Sequence, residues 1–240
     1  MDEFIRAENL IGKQGQKKLC EAKVAVFGLG GVGSYVAEAL ARAGIGEILL
    51  VDGDVIALSN INRQLIALHS TVGKSKVSIM EARILDINPN ARVVAKQLFY
   101  AQDNCDKVDV SGLDYVVDAI DTVSSKLCLI ENCKQKSVSI ISAMGAGNKL
   151  DPTAFKVADI YKTKECPLAR VMRRELKSRN ITALKVVYSE EKPHANLFPH
   201  TETDTILKQQ TPSSVSFVPP VMGMIIAGEV IKDILANTKI

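Results

Sequence analysis

Short apolar runs alternate with longer amphipathic stretches along the first 142 residues. Val24 to Phe27 is a run ended by glycines, as expected of a buried strand. Residues 34–43 are apolar on one helical face, and Gly44 stops them. Glu47 to Val51 reads as a second strand, closed by Asp52-Gly53-Asp54. A polar loop runs to Gln64, and Ser75 to Asp86 is an amphipathic helix that stops before Pro89. Arg92 to Leu98 and Tyr115 to Val117 read as the third and fourth strands. A helix from about Ser124 to Lys136 leads to a fifth, Val138 to Ile141. Strand and helix taken in turn imply a parallel sheet with right-handed crossovers.

After Gly145 the alternation breaks. A basic helix from about Leu168 to Arg179 precedes a strand at Leu184 to Val187. Ser189 to Ser214 is polar, with the composition of a mobile loop or lid. Ser216 to Val218 is expected as a strand, and Pro219-Pro220 opens a last helix to about Leu235. Residues 1–22 read as a polar, partly helical lead-in. The expected fold is one α/β domain over residues 1–240, a Rossmann-like, mostly parallel sheet with flanking helices. Residues 1–145 form its nucleotide-binding core, and 146–240 a substrate-side, C-terminal extension that continues the sheet.

Composition narrows the class. Of 240 residues, 47% are hydrophobic and 24% charged, which is globular and excludes a disordered or fibrous chain. The N-terminus lacks the apolar core of a signal peptide, and Val221 to Ala227 is too short to span a bilayer. Five cysteines with no CxxC pair fit reduced thiols in a cytoplasmic protein without a structural zinc. Net charge is only +3, yet residues 162–185 carry eight basic and two acidic side chains, a net +6. Within that segment Arg170, Arg173, Arg174 and Lys177 have the spacing of one helical face. A concentrated basic stripe is the footprint of contacts to a nucleic-acid backbone, and it is also what a solvated helix face looks like.

The strongest local chemistry is Gly28-Leu29-Gly30-Gly31-Val32-Gly33, after a strand and before a helix. Glycines there let the backbone turn sharply and approach a phosphate, with helix amides facing the anion. Asp52, at the end of the next strand, stands where an acid would bond ribose hydroxyls. This much fits a dinucleotide as well as ATP. Phosphoryl chemistry needs more, because charge builds on the leaving pyrophosphate and calls for cations and a metal. Asp54, Asn60, Arg63, Lys76, Asp118 and Asp121 follow, and Arg63, Lys76 and Asp121 can converge on one sheet edge as a triphosphate–Mg²⁺ site. The histidines (His69, His194, His200) read as surface or loop residues.

These motifs, in this order, resemble the ubiquitin-activating-type (ThiF/MoeB-like) adenylating enzymes. The glycine turn, Val51-Asp52-Gly53-Asp54, Ser59-Asn60-Ile61-Asn62-Arg63-Gln64, Val72-Gly73-Lys74-Ser75-Lys76-Val77, Ile87-Asn88-Pro89 and Asp118-Ala119-Ile120-Asp121 carry the resemblance. It implies ATP and Mg²⁺, with Asp52 on the ribose, Asn60, Arg63 and Lys76 on phosphates, and Asp121 on magnesium. It also implies a homodimer in which Arg6 reaches the γ-phosphate of the neighbouring subunit. Residues 37–46 and 60–68, Ala158 to Thr163, Pro167 to Arg170 and Tyr188-Ser189-Glu190 are further similar to the tRNA threonylcarbamoyladenosine dehydratases. That family activates a threonyl carboxylate of tRNA with ATP, then closes a ring with loss of AMP. A sulfur-transfer accessory protein is a further partner implied this way. The rival within the superfamily adenylates the C-terminus of a ubiquitin-like sulfur-carrier protein, a branch that usually has two CxxC pairs. Outside it stand an NAD-dependent dehydrogenase, which would leave Arg63, Lys76 and Asp121 idle, and a non-catalytic nucleotide sensor. Cys166 is the sole candidate for a thioester cysteine in the tail and is expected to be structural or incidental.

Overall fold

A computed structural model describes residues 3–197 and 212–236. Strands β1 (Lys23–Phe27), β2 (Glu47–Val51), β3 (Arg92–Lys96), β4 (Tyr115–Asp118), β5 (Ser139–Ala143), β6 (Phe155–Asp159) and β7 (Lys185–Ser189) form one sheet. Their order is β3-β2-β1-β4-β5-β7-β6. Every pairing is parallel except β6 with β7. The helices are α1 (Ile5–Glu21), α2 (Gly33–Arg42), α3 (Lys76–Ile87), α4 (Val123–Gln135), α5 (Pro167–Ser178) and α6 (Val218–Ala236).

Alternation along each strand sorts side chains onto two faces. Val24 and Val26 of β1, Ile48 and Leu50 of β2, and Val117 of β4 join a core built with α2, α3 and α6. Ala25, Phe27, Leu49, Val51 and Val116 turn the other way, into a core closed by α4 and α5. Both faces are covered, as a parallel sheet requires. The chain runs outward from β1 to β3 and then returns to β4 on the other side of β1. The crevice beyond the carboxyl ends of β1 and β4 is therefore the switch point at which open α/β sheets bind ligands.

One expectation fails, and one element was not foreseen. Ser216 to Val218 is not a strand, since Val218 is the first residue of α6. Two prolines behind it hold φ near the helical value at the one place in a helix where a missing N–H costs nothing. The edge strand β6 has no counterpart in the sequence pattern. The polar stretch from 189 starts inside β7, and of the remainder only residues 190–197 and 212–214 are described. α1 is kinked at Gly12, whose φ is 77°.

Candidate nucleotide and substrate site

The turn after β1 is fixed by close backbone approach. Gly28 has φ 86°, and a Cβ there would lie 2.6 Å from the Ala119 carbonyl oxygen at the end of β4. A Cβ on Gly33 would lie 1.8 Å from the Gly28 oxygen. Gly33 thus packs the start of α2 beneath the turn, while Gly28, Gly30 and Gly31 line the space above it. At Gly30 a Cβ would meet nothing nearer than 3.8 Å, so the cradle is open on that side. The Ser34 hydroxyl donates to the Gly30 carbonyl at 2.6 Å and locks the turn to the helix.

That space is a cavity of about 1060 Å³, which Asp52, Asp54, Asn60, Arg63, Lys76 and Asp121 also line. The sequence-predicted phosphate, ribose and metal residues are therefore together. Asp52 accepts the Leu29 N–H at 2.6 Å and the Asp54 N–H at 2.8 Å, one on each oxygen. Each oxygen keeps a lone pair for a hydroxyl. Burial pushes the Asp52 carboxyl above its ordinary value, against the pull of the Lys76 ammonium and the two N–H groups. Lys76 opens α3, is 5% exposed, and holds Asp54 at 2.7 Å. Arg63 donates to the Ser59 carbonyl at 3.0 Å and to Asn62 Oδ1 at 2.8 Å, which sets its guanidinium on the loop after β2. Asn60 accepts the Ala57 N–H at 3.1 Å and shapes the same loop. Asp121 is exposed at the rim, accepting from the Thr122 hydroxyl at 3.2 Å. Among the described residues no three His, Cys, Asp or Glu side chains gather as a metal cage. A carboxylate such as Asp121 beside the glycine turn suits magnesium, which is commonly held by one or two carboxylates and the substrate's phosphates.

Several residues of the site had no assigned role in the sequence. Gln64 is 7% exposed in the cavity wall, and its buried Oε1 has no partner among the described groups. Phe99 and Tyr100 come from the segment after β3 and give the cavity an aromatic wall. Beneath Asp121 lies an ion pair of Asp118 and Lys126, both 0% exposed and 2.9 Å apart. Lys126 also donates to the carbonyls of Ile120 and Ala143, and Asp118 accepts from Ser142 at 2.5 Å and from the Ile120 N–H at 3.2 Å. This knot joins the ends of β4 and β5 to α4. Lys149 and Cys166 are both buried and line the cavity from the C-terminal half.

Other predicted residues lie elsewhere. Arg6 is exposed in the first turn of α1 and does not line this chain's cavity. On α5, Arg170 and Lys177 are exposed. Arg173 is half-buried, with its guanidinium hydrogen-bonded to the carbonyl and hydroxyl of Thr163. Arg174 pairs with Glu175 at 3.0 Å. Arg174 and Arg179 edge a groove of about 460 Å³ between α4 and α5, and Ser124 lines both this groove and the cavity. His69 is exposed, His194 pairs with Glu191, and neither lines the cavity; His200 lies outside the described residues.

A model of the ThiF family matches residues 4–240. Over 247 aligned residues the chain is 44% identical to the tRNA threonylcarbamoyladenosine dehydratase of Bacillus subtilis (strain 168), covering 100% of this chain and 97% of that protein. The Escherichia coli (strain K12) protein of the same name is 43% identical over 169 residues, 70% of this chain and 63% of its own length. The solved E. coli tRNA N6-threonylcarbamoyladenosine dehydratase, TcdA, in complex with ATP superposes with a TM-score of 0.87 at 33% identity, over 98% of this chain and 94% of that one. Sequence, sheet order and cavity thus agree: the chain belongs to the ThiF family, in the branch of the tRNA threonylcarbamoyladenosine dehydratases.

Proposed function

We propose that this chain uses ATP to adenylate the threonyl carboxylate of threonylcarbamoyladenosine in tRNA, after which the modification cyclises with loss of water. One observation supports this above the rest: a single cavity gathers the glycine turn, a ribose-facing acid, two cations and a rim carboxylate. The Bacillus subtilis relative that matches the whole chain is named a tRNA threonylcarbamoyladenosine dehydratase.

Asp52 accepts the ribose hydroxyls, and Gly30 and Gly31 let phosphates approach the backbone. Asn60, Arg63 and Lys76 face the triphosphate. Asp121 would hold a magnesium ion, which would supply charge neutralisation to the pyrophosphate. The substrate carboxylate is already ionised at neutral pH, so no general base is needed. Its oxygen bonds to the α-phosphorus as the bond to pyrophosphate breaks. An internal nucleophile of the modification then bonds to the acyl carbon, and AMP leaves. The protein's part is position and charge stabilisation.

Lys76 holds Asp54 in the fold described here, so its ammonium exchanges a carboxylate for a phosphate when ATP arrives. Asp54 is half exposed and can be resolvated, which keeps that exchange cheap. The tRNA contacts the exposed cations of α5, Arg170 and Lys177, with Arg174 at the groove. Arg6, exposed on α1, acts at the γ-phosphate of a second copy in a homodimer. The enzyme works in the cytoplasm, and no helix of the described residues is long and apolar enough to cross a membrane. A sulfur-transfer accessory partner follows from the family resemblance alone.

The test is product analysis. Purified protein is given ATP and tRNA bearing threonylcarbamoyladenosine, unmodified tRNA, or a carrier protein ending in Gly-Gly. AMP and pyrophosphate should form only with the modified tRNA, and nucleoside mass analysis should show loss of one water. Formation only with the carrier protein establishes the sulfur-carrier reading instead.

A further inference from the structure

We propose that Lys149 receives the substrate carboxylate and holds it for attack on the α-phosphorus; the inference rests on the adenylation reading above. Lys149 follows β5 beyond the carboxyl edge of the sheet and is 3% exposed, yet it lines the cavity. Three described lysines or arginines line that cavity. Arg63 and Lys76 come from the β2–α3 side, and Lys149 alone comes from the β5–β6 side. The other two deeply buried lysines have anions in contact: Lys76 has Asp54 and Lys126 has Asp118. Lys149 makes no ion pair with a described residue. Its ammonium donates to the Glu191 carbonyl at 2.5 Å, and an ammonium has three donors. The Glu191 carboxylate acts on it through space but is not within ion-pair distance, and a buried cation without an anion in contact is costly unless a ligand supplies one. Burial holds this ammonium below the usual lysine range, while Cys166 and Glu191 nearby act to raise it.

The backbone around Lys149 is clamped on both sides. Asn148, at φ 57°, donates its N–H to Ser213 at 2.7 Å, and its side chain accepts the Ser213 N–H at 2.6 Å. Its carbonyl accepts the His194 N–H at 2.8 Å. Leu150 and Asp151 both donate to the Glu191 carboxylate at 2.9 Å. The lysine is thus held in place before any ligand arrives, which reduces the ordering that binding must accomplish. Adenylation brings a carboxylate against a triphosphate, two anions that repel. A cation on the side opposite Arg63 and Lys76 offsets that repulsion and separates the substrate end from the phosphate end. The carboxylate this position fits is that of an amino-acid group carried on a nucleoside.

The experiment is equilibrium dialysis of the full chain, with AMP present, against threonylcarbamoyladenosine nucleoside and its methyl ester. The wild-type protein should bind the acid about 10- to 100-fold more tightly than the ester, the range of a hydrogen bond to a charged group. Lys149→Met should abolish the preference, and Lys149→Arg should keep most of it. ATP affinity in Lys149→Met should stay within about twofold of wild type, which separates this role from a structural one. Should Met cost ATP binding, Lys149→Gln is read in its place. Equal wild-type affinity for acid and ester overturns the proposal, as does an undiminished preference in the Met or Gln variant. A preserved acid preference with no AMP formed by wild type would sink the adenylation reading and leave Lys149 its carboxylate. AMP formation with unchanged kcat/KM in Lys149→Met would do the reverse.

Discussion

Lys126→Met removes one half of the knot beneath Asp121. The wild-type ammonium has three acceptors, the Asp118 carboxylate at 2.9 Å and the carbonyls of Ile120 and Ala143 at 3.0 and 2.9 Å. Methionine matches the stem but donates nothing. Asp118 would keep the Ser142 hydroxyl and the Ile120 N–H, with its carboxylate fully out of solvent. Stripping one partner from a buried pair costs about 3–5 kcal/mol, because an uncompensated charge is left behind. In a chain of this size 1 kcal/mol moves Tm by roughly 2–4 °C, so the variant should melt about 6–20 °C lower.

Urea unfolding followed by far-ultraviolet circular dichroism measures this directly. Asp118→Asn in the Lys126→Met background should recover about 1–3 kcal/mol, since the amide carries no charge to strand. A single variant within about 1 kcal/mol of wild type would refute the reasoning, as would strict additivity of the two substitutions. The consequence for the site is specific. Both backbone groups of Ile120 bond into the knot, the N–H to Asp118 and the carbonyl to Lys126. Asp121 is the next residue, so Lys126→Met should also lower turnover at a temperature where the variant stays folded.

Four further outcomes are expected. Lys76→Ala should cut kcat by about 10²–10³, the cost of a lost charge-stabilising donor, with Asp54 left exposed enough to take up water; normal turnover would remove Lys76 from the mechanism. Gly33→Ala drives a Cβ to 1.8 Å from the Gly28 carbonyl, so ATP affinity by calorimetry should fall at least about tenfold, with about 1–3 kcal/mol of stability lost to overpacking. ATP affinity should decline as pH falls through the Asp52 midpoint, which burial raises above 3.8; Asp52 favours the folded state most when protonated, a contribution lost as pH rises through that midpoint, so affinity and this stability contribution run in opposite directions, and Asp52→Asn should flatten the affinity profile. Arg170→Ala with Lys177→Ala should weaken tRNA binding and flatten its salt dependence, whereas Arg173→Ala should act chiefly on stability through Thr163; a larger salt effect from Arg173 would reverse that division.

The grouping of the candidate phosphate-side residues was legible in sequence because every part of its signal is local. An apolar run, glycines and a helix start fix β1, the turn and α2, and the sheet order then carries Asp52, Lys76 and Asp121 to one edge. The substrate end was not legible, and the reason is physical. Lys126 and Lys149 read as polar positions, and nothing in the order of residues says that an ammonium points inward. That is decided by a strand end, a carboxylate and carbonyls from distant segments. Arg173 shows the same effect in reverse: helical spacing put it on one face with Arg170 and Lys177, but the edge of that face turns toward Thr163. β6 escaped because an edge strand is paired on one side only, and Lys156 and Val157 are both exposed. Its place is set by the antiparallel register with β7, from Phe155 against Ser189 to Asp159 against Lys185. Asp159 then accepts the Leu184 N–H at 3.0 Å and Glu191 secures the turn before β6, so the hairpin partner aligns the wall from which Lys149 reaches the cavity. The glycine turn and the residues grouped around it are thus written in short-range pattern, and the wall that carries Lys149 is written in contacts between segments far apart in the chain.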